Sequence, residues 1–252
     1  MTTTWVFRVA PPLGAAALVA ALLLMPLGGA RALVAFPGDF LLIAGLFALV
    51  RFSAALAALD TGSSFEGMGA SREVQFGALA EPALLLAFAG LVLQTGEMSL
   101  SEAFPAWSFH AGWRTAAPVG TLLLAAWGIV LLTETSRVPV DDPDTHLELT
   151  MIHEVMALDH SGPDWGLIQY AAALKFWLLG ALPVNLALAA WPPETAGRGA
   201  RAVLFLLGQA LLAVIVGLTE SAQARLRLTR VPQFILAGAA CALLAAVMAL
   251  KG

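Results

Sequence analysis

The sequence predicts an all-α, polytopic transmembrane bundle, and three observations carry the prediction. Apolar runs recur seven times, each of the roughly 20 residues that a helix needs to cross ~30 Å of hydrocarbon. Only 12% of the residues are charged, 60% are hydrophobic, and the mean hydropathy is +0.84. Soluble domains carry about 25% charged residues. No strand-like alternation competes with the apolar runs, and backbone inside a bilayer must satisfy its own hydrogen bonds in helices or a closed barrel. None of the polar stretches in the 252 residues is long enough to form a soluble domain, so the chain reads as a single integral membrane domain.

The first apolar run covers about 6–27. With Arg8 before it and the sequence GGARA after it, it has the outline of a secretory signal, but it is read here as a retained span. The second run covers 38–59. Asp60 to Glu73 follows, rich in glycine and serine, which predicts a flexible or tightly turned loop. The third span, 74–95, carries Glu81 about two turns inside. Glu73, Gly77 and Glu81 are spaced i, i+4, i+8 and share one helical stripe. The fourth span, 113–133, runs into Glu134. Pro139 and Pro143 break the helix there. Thr145 and Glu148 then have the spacing of a capping box, so a short amphipathic helix is expected from about His146 to Asp159. Ser161-Gly162-Pro163 stops that helix, and Pro163 can open the fifth span, 165–190. The sixth and seventh spans cover 201–224 and 231–250.

Charge and cysteine content remove several functions. A spread net charge of −4 gives no support for nucleic-acid binding. The single cysteine, Cys241, excludes an internal disulfide and cannot ligate an iron–sulfur cluster alone, so no redox cofactor is expected in this chain. Orientation rests on the basic residues of the loops. Arg8, Arg72, Arg137, Arg225, Arg227 and Arg230 fall on one side, Arg31, Arg114, Arg198, Arg201 and Lys251 on the other. The tight cluster at 225–230 makes the first side the expected cytoplasmic one, and the 134–164 loop lies there too.

That loop concentrates the chemistry. It holds three of the four histidines, and seven of the seventeen acidic residues lie between Asp141 and Asp164. On an ideal helix His146, His153 and His160 would share a stripe. Seven-residue spacing puts them about 10 Å apart along the axis, too far for one ion with ligands near 2 Å. His153 to Ala157, HEVMA, lacks the histidine that a zinc-protease helix needs at its fifth position. No metal is therefore expected, and a polar helix face docked on a partner subunit is. Lys175 lies about 18 Å beyond Pro163, too deep to snorkel, so pairing with a carboxylate is expected. Glu81 is a candidate for an ion route because carboxylates in lipid are costly and mark such routes.

Four stretches taken together carry a resemblance: FEGMGASREVQFGALAEPALLL (65–86), ETSRVPVDDPDTHLELTMIHE (134–154), SGPDWGLIQYAAALK (161–175) and ESAQARLRLTRVPQF (220–234). They resemble the membrane-anchor subunit of formate hydrogenlyase and other energy-converting group 4 [NiFe] hydrogenases, the counterpart of the quinone-site subunit (subunit 1, or H) of complex I. Glu134, Arg137, Pro139 and Asp141 fit the E-x-x-R-x-P-F-D frame of the complex I loop, with Val140 in place of phenylalanine. The resemblance begins at Trp5-Val6-Phe7-Arg8, without the extra helix and amphipathic segment with which family members usually start, which argues against a quinone site.

The resemblance implies a subunit of the bacterial or archaeal cell membrane. It would hold a [NiFe] hydrogenase module on the cytoplasmic face and line the start of an ion path. The implied docking loop contains Arg137, Asp141, Asp142, His146 and His153. The implied proton or ion path contains Glu73, Glu81, Glu134, Glu148, Glu154, Lys175 and Glu220. Implied partners are the hydrogenase large and small subunits, a ferredoxin-like iron–sulfur subunit and antiporter-like membrane subunits, with the [NiFe] centre and the iron–sulfur clusters in those chains. Two alternatives stay open: a membrane subunit of a complex I-type NADH-quinone oxidoreductase, and a passive anchor without ion translocation.

Overall fold

The computed structural model describes residues 4–107, 113–141, 151–190 and 197–251. Among the described residues eight α-helices run in the order α1 (Trp5–Leu24), α2 (Asp39–Asp60), α3 (Ser64–Thr95), α4 (Leu100–Ala106), α5 (Trp113–Glu134), α6 (Gly162–Ala189), α7 (Arg198–Ala222) and α8 (Val231–Ala249). All except the seven-residue α4 are long and apolar enough to cross a membrane, which gives seven candidate spans, and there is no strand among the described residues. The seven expected spans are thus present, and the protein is a multi-pass membrane protein.

Six of the seven begin within about three residues of their expected starts. The third does not. Residues 64–73, expected as loop, form the first turns of α3, which runs for 32 residues, or about 48 Å at 1.5 Å per residue. That exceeds the bilayer core, so the added turns project beyond it. Glycine and serine do not unwind them because tertiary contacts hold them in place. A methyl group at Gly69 would overlap Val155, so the bare Cα there is what lets the 151–160 segment lie against the helix.

The same segment corrects a second expectation. Within the described part of the predicted 146–159 helix the chain forms only a 3-10 turn, Glu154–Ala157. The proposed cap at Thr145 and Glu148 lies outside the described residues. Side-chain pins take the place of an α-helical ladder. Asp141 Oδ2 accepts the backbone N–H groups of Ile152 and His153 at 2.9 and 3.2 Å. Glu66 accepts that of Asp159 at 3.2 Å, and Arg72 donates to the Met151 carbonyl at 3.0 Å.

The main core joins α1, α2, α3, α5, α6 and α8 around Phe47, Phe88 and Trp127, all at most 1% exposed. Small residues set the close crossings: Gly90 of α3 meets Leu123 and the backbone of α8. Helix α7 leans on α6 and presents Leu206, Leu207, Leu211 and Leu218 outward, as suits a helix whose solvent is hydrocarbon.

Candidate functional site

At the end of the bundle that carries the 134–161 connection, four helices bring charged side chains into contact. Arg51, nine residues before the end of α2, is only 6% exposed. Its Nη1 donates to Glu134 Oε1 at 2.8 Å, and its Nη2 pairs with Glu81 Oε1. Lys175 of α6 places Nζ 2.8 Å from the other carboxylate oxygen of Glu134. Glu134, the last residue of α5, therefore bridges two cations while buried. Glu73 faces the same space within electrostatic reach of Arg51 and Lys175.

The stripe on α3 explains how this fits. Glu73, Gly77 and Glu81 are stacked on one face, and the Arg51 guanidinium lies over Gly77, where any side chain would overlap it. Glycine is required there by a close approach rather than by a turn. The four acid-and-lysine candidates Glu73, Glu81, Glu134 and Lys175 thus converge, with Arg51 at their centre.

Arg51 escaped the sequence reading, although a signal existed: it is an arginine deep in an apolar run, and such residues are rare and face partners. Its companions are 30 and 83 residues away in sequence, so no local spacing connects them.

The other expected residues distribute around this cluster. Arg137 Nη1 reaches Glu220 Oε1 at 3.4 Å, with its guanidinium carbon 5.6 Å from the centre of the Phe176 ring. Asp141, besides pinning the connection, pairs with Arg225 at 3.1 Å, and Leu226 donates to the Pro139 carbonyl at 2.9 Å. Glu154 opens the 3-10 turn. His153 turns inward to the chamber that Glu73, Glu134 and Lys175 line, so it is not confined to an outward docking face. Asp142, His146 and Glu148 lie outside the described residues. Among the described residues no group of three or more His, Cys, Asp or Glu side chains is placed to hold a metal ion.

A chamber of about 90 Å³ connects these groups. Its walls come from α1 (Pro11, Gly14), α2 (Arg51, Ser53), α6 (Ala171, Lys175) and the connection (His153, His160). His160 is 9% exposed, stacks on Phe7 with ring centres 3.9 Å apart, and leaves Nδ1 without a hydrogen-bond partner. Burial holds both imidazoles below the ordinary histidine range. For His153 the Lys175 charge adds to this and Asp141 and Glu154 oppose it; for His160 the opposition comes from Asp164 and Asp159.

Fold and site together define a polytopic membrane subunit with a buried ionic network at one end. The chain matches the NADH dehydrogenase family over residues 1–251 and belongs to it. It is similar to formate hydrogenlyase subunit 4 of Escherichia coli K12, with 28% identity over 96% of this chain and 78% of that one. It is also similar to hydrogenase-4 component C of the same organism, with 32% identity over 85% of this chain and 67% of that one. In fold it resembles a chain of the archaeal membrane-bound sulfane sulfur reductase, a respiratory membrane complex. The TM-score is 0.80 and the identity 21%, with 99% of this chain and 81% of that chain covered. The two Escherichia coli relatives carry the names of subunits or components of hydrogenase complexes, and with them this chain falls in the NADH dehydrogenase family.

Proposed function

We infer that this chain anchors a [NiFe] hydrogenase module at the membrane and couples its electron transfer to movement of protons, or of Na⁺, toward antiporter-like partner subunits. The observation that carries this reading is the charge balance of the cluster. Glu73, Glu81 and Glu134 supply three carboxylates, Arg51 and Lys175 two cations, so a fully ionised cluster keeps one negative charge uncompensated. Around the buried Arg51–Glu134 pair that charge is costly, less so at the Glu81 side chain, which is 40% exposed, and uptake of one proton or monovalent cation removes the cost.

Coupling then follows from geometry. A carboxylate's proton affinity depends on the distance to its cation. The two faces of Glu134 are tied to α2 and α6, so a small shift of the 134–161 connection changes both distances at once. Arg137–Glu220 links that connection to the last turn of α7 and Asp141–Arg225 to the residues just after it, which gives a docked module leverage over it. On this reading the connection faces the cytoplasm. The chamber volume supports ion movement over quinone chemistry: its 90 Å³ is below the ~150 Å³ of an engineered cavity that takes benzene, whereas several waters fit.

The test is purification through a tag on this chain, mass spectrometry of the co-purifying subunits, and ion uptake by inverted membrane vesicles carrying the complex. Hydrogenase large and small subunits should co-purify, and Glu134→Gln should lower ions moved per electron. Unchanged stoichiometry in both Glu134→Gln and Glu81→Gln would sink the coupling and leave a passive anchor. Protonophore-sensitive lumen acidification would identify H⁺, and accumulation of labelled sodium would identify Na⁺.

A further inference from the structure

On the proposed reading the cluster needs a supply of protons, and its central members Arg51 and Glu134 are buried among helices while the Glu81 side chain is 40% exposed. The chamber beside it holds two imidazoles that the ion-pair network does not use. His153 is placed by its own backbone: its N–H is bound by Asp141, which is held in turn by Arg225. Its side chain lines the chamber together with Glu73, Glu134 and Lys175. His160 lines the same chamber between Phe7 and the start of α6, more than nine-tenths buried, with Nδ1 unpartnered. A buried polar atom without a partner is uncommon and asks for a water or a functional cause.

We propose that His160 and His153, bridged by water in the chamber, form the relay that carries protons from the connection to Glu73 and Glu134. This rests on the proton-path reading of the cluster and adds to it the residues that feed it. A relay group must accept a proton on one nitrogen and donate from the other, as neutral imidazole does. The charged groups facing the pair favour that form. Lys175 and Arg51, from α6 and α2, oppose a second cation in the chamber. Asp141 and Glu154 of the connection keep protonation of His153 within reach, and Asp164 of α6 and Asp159 of the connection that of His160; Glu73 of α3 and Glu134 of α5 line the same chamber, and α1 lines it with Ala10, Pro11 and Gly14. The chamber's 90 Å³ accommodates more than one water, and a water needs two to four polar partners, which the two rings and the carboxylates supply. In each transfer one nitrogen gains a proton from water while the other releases one, so no net charge stays behind.

The experiment uses inverted membrane vesicles carrying the whole complex, turned over with reduced methyl viologen, with protons moved per electron read from lumen acidification across a pH series. His153→Gln and His160→Gln keep polarity and size but cannot relay. Each should lower proton movement about a hundredfold, the lower end of what a lost acid–base group costs, and flatten its pH profile. His153→Ala should be equally slow and should be restored by added imidazole, which a purely structural role would not allow. Wild-type rate and pH profile in both glutamine variants, alongside a defective Glu134→Gln, would overturn the relay and leave the proton path standing. Unaffected Glu134→Gln and Glu81→Gln variants would together overturn both. A slow His153→Ala that imidazole does not restore, in a complex of normal subunit content, would assign His153 a structural role and overturn the relay.

Discussion

The two ends of the bundle bury polar groups in opposite ways. At the end away from the 134–161 connection, Asp39 is fully buried and each carboxylate oxygen is matched: Oδ1 accepts the Leu100 N–H at 3.0 Å and Oδ2 the Ser99 hydroxyl at 2.6 Å. Asn185 likewise accepts from the Gly28 N–H at 3.2 Å and donates to the Pro26 carbonyl at 2.7 Å. These are neutral-partner contacts that tie turns to helices. At the connection end, charge meets charge across four helices, with an odd number of titratable carboxylates and water-sized space beside them. One end matches each buried group with a neutral donor or acceptor; the other, on the function proposed above, holds an exchangeable ion. Buried polarity alone does not separate structural from functional groups; the way it is satisfied does.

The comparison breaks most readily at Arg51. Arg51→Met strands Glu81 and Glu134 and leaves Lys175 as the nearest cation. Removing one partner of a buried pair costs about 3–5 kcal/mol, so the variant should unfold at markedly lower temperature in detergent and fail to assemble. Normal thermal stability would mean that the ionic end is as solvated as a surface.

A matched pair sharpens the contrast. Gly77→Ala pushes the guanidinium off its seat, an overpacking cost of about 1–3 kcal/mol. Asp39→Ala orphans a buried hydroxyl and a buried N–H for about 1–3 kcal/mol. The two should lower thermal stability to a similar extent, but only Gly77→Ala should lower ions moved per electron. Equal coupling loss in both would erase the distinction between the ends.

Acidification gives a smaller effect with a definite sign. His153 and His160 sit below the ordinary imidazole value of 6.5 through burial, so the unfolded chain binds protons that the folded chain refuses. Their contribution to stability is complete above pH 6.5 and is lost as pH falls below it. Thermal scans should show this loss on acidification, and it should shrink in the His153→Gln, His160→Gln double variant. The smallest effect belongs to the Arg31–Glu102 pair, 2.8 Å apart with side chains 66% and 51% exposed. Arg31→Ala should change stability by about 0–1 kcal/mol and leave coupling untouched.

Much of the architecture was legible because a bilayer permits few solutions. An apolar run of about 20 residues must be a helix crossing the membrane, so spans such as 38–59 and 231–250 followed from hydropathy within a residue or so. Part of the site was legible too. The Glu73-Gly77-Glu81 stripe depends only on the 3.6-residue period, and Lys175, too deep to reach water, had to find a carboxylate. What the sequence could not decide was which carboxylate, or that Arg51 would lie over Gly77 between two of them, because those partners come from separate helices with no shared local pattern. Nor could it decide the first turns of α3 or the 3-10 turn at 154–157. Glycine and serine there favour a loop by intrinsic propensity, and a capping-box spacing favours an α-helix. The first preference is worth about 1 kcal/mol per residue or less, and packing of Val155 on Gly69, with Asp141 and Glu66 holding the connection's backbone, outweighs it; the cap residues lie outside the described residues. Hydropathy set the number and length of the helices, because transfer to lipid is a property of each segment alone. The tertiary structure set the ionic cluster and the chamber beside it, because an ion pair is a property of two segments and of the distance between them.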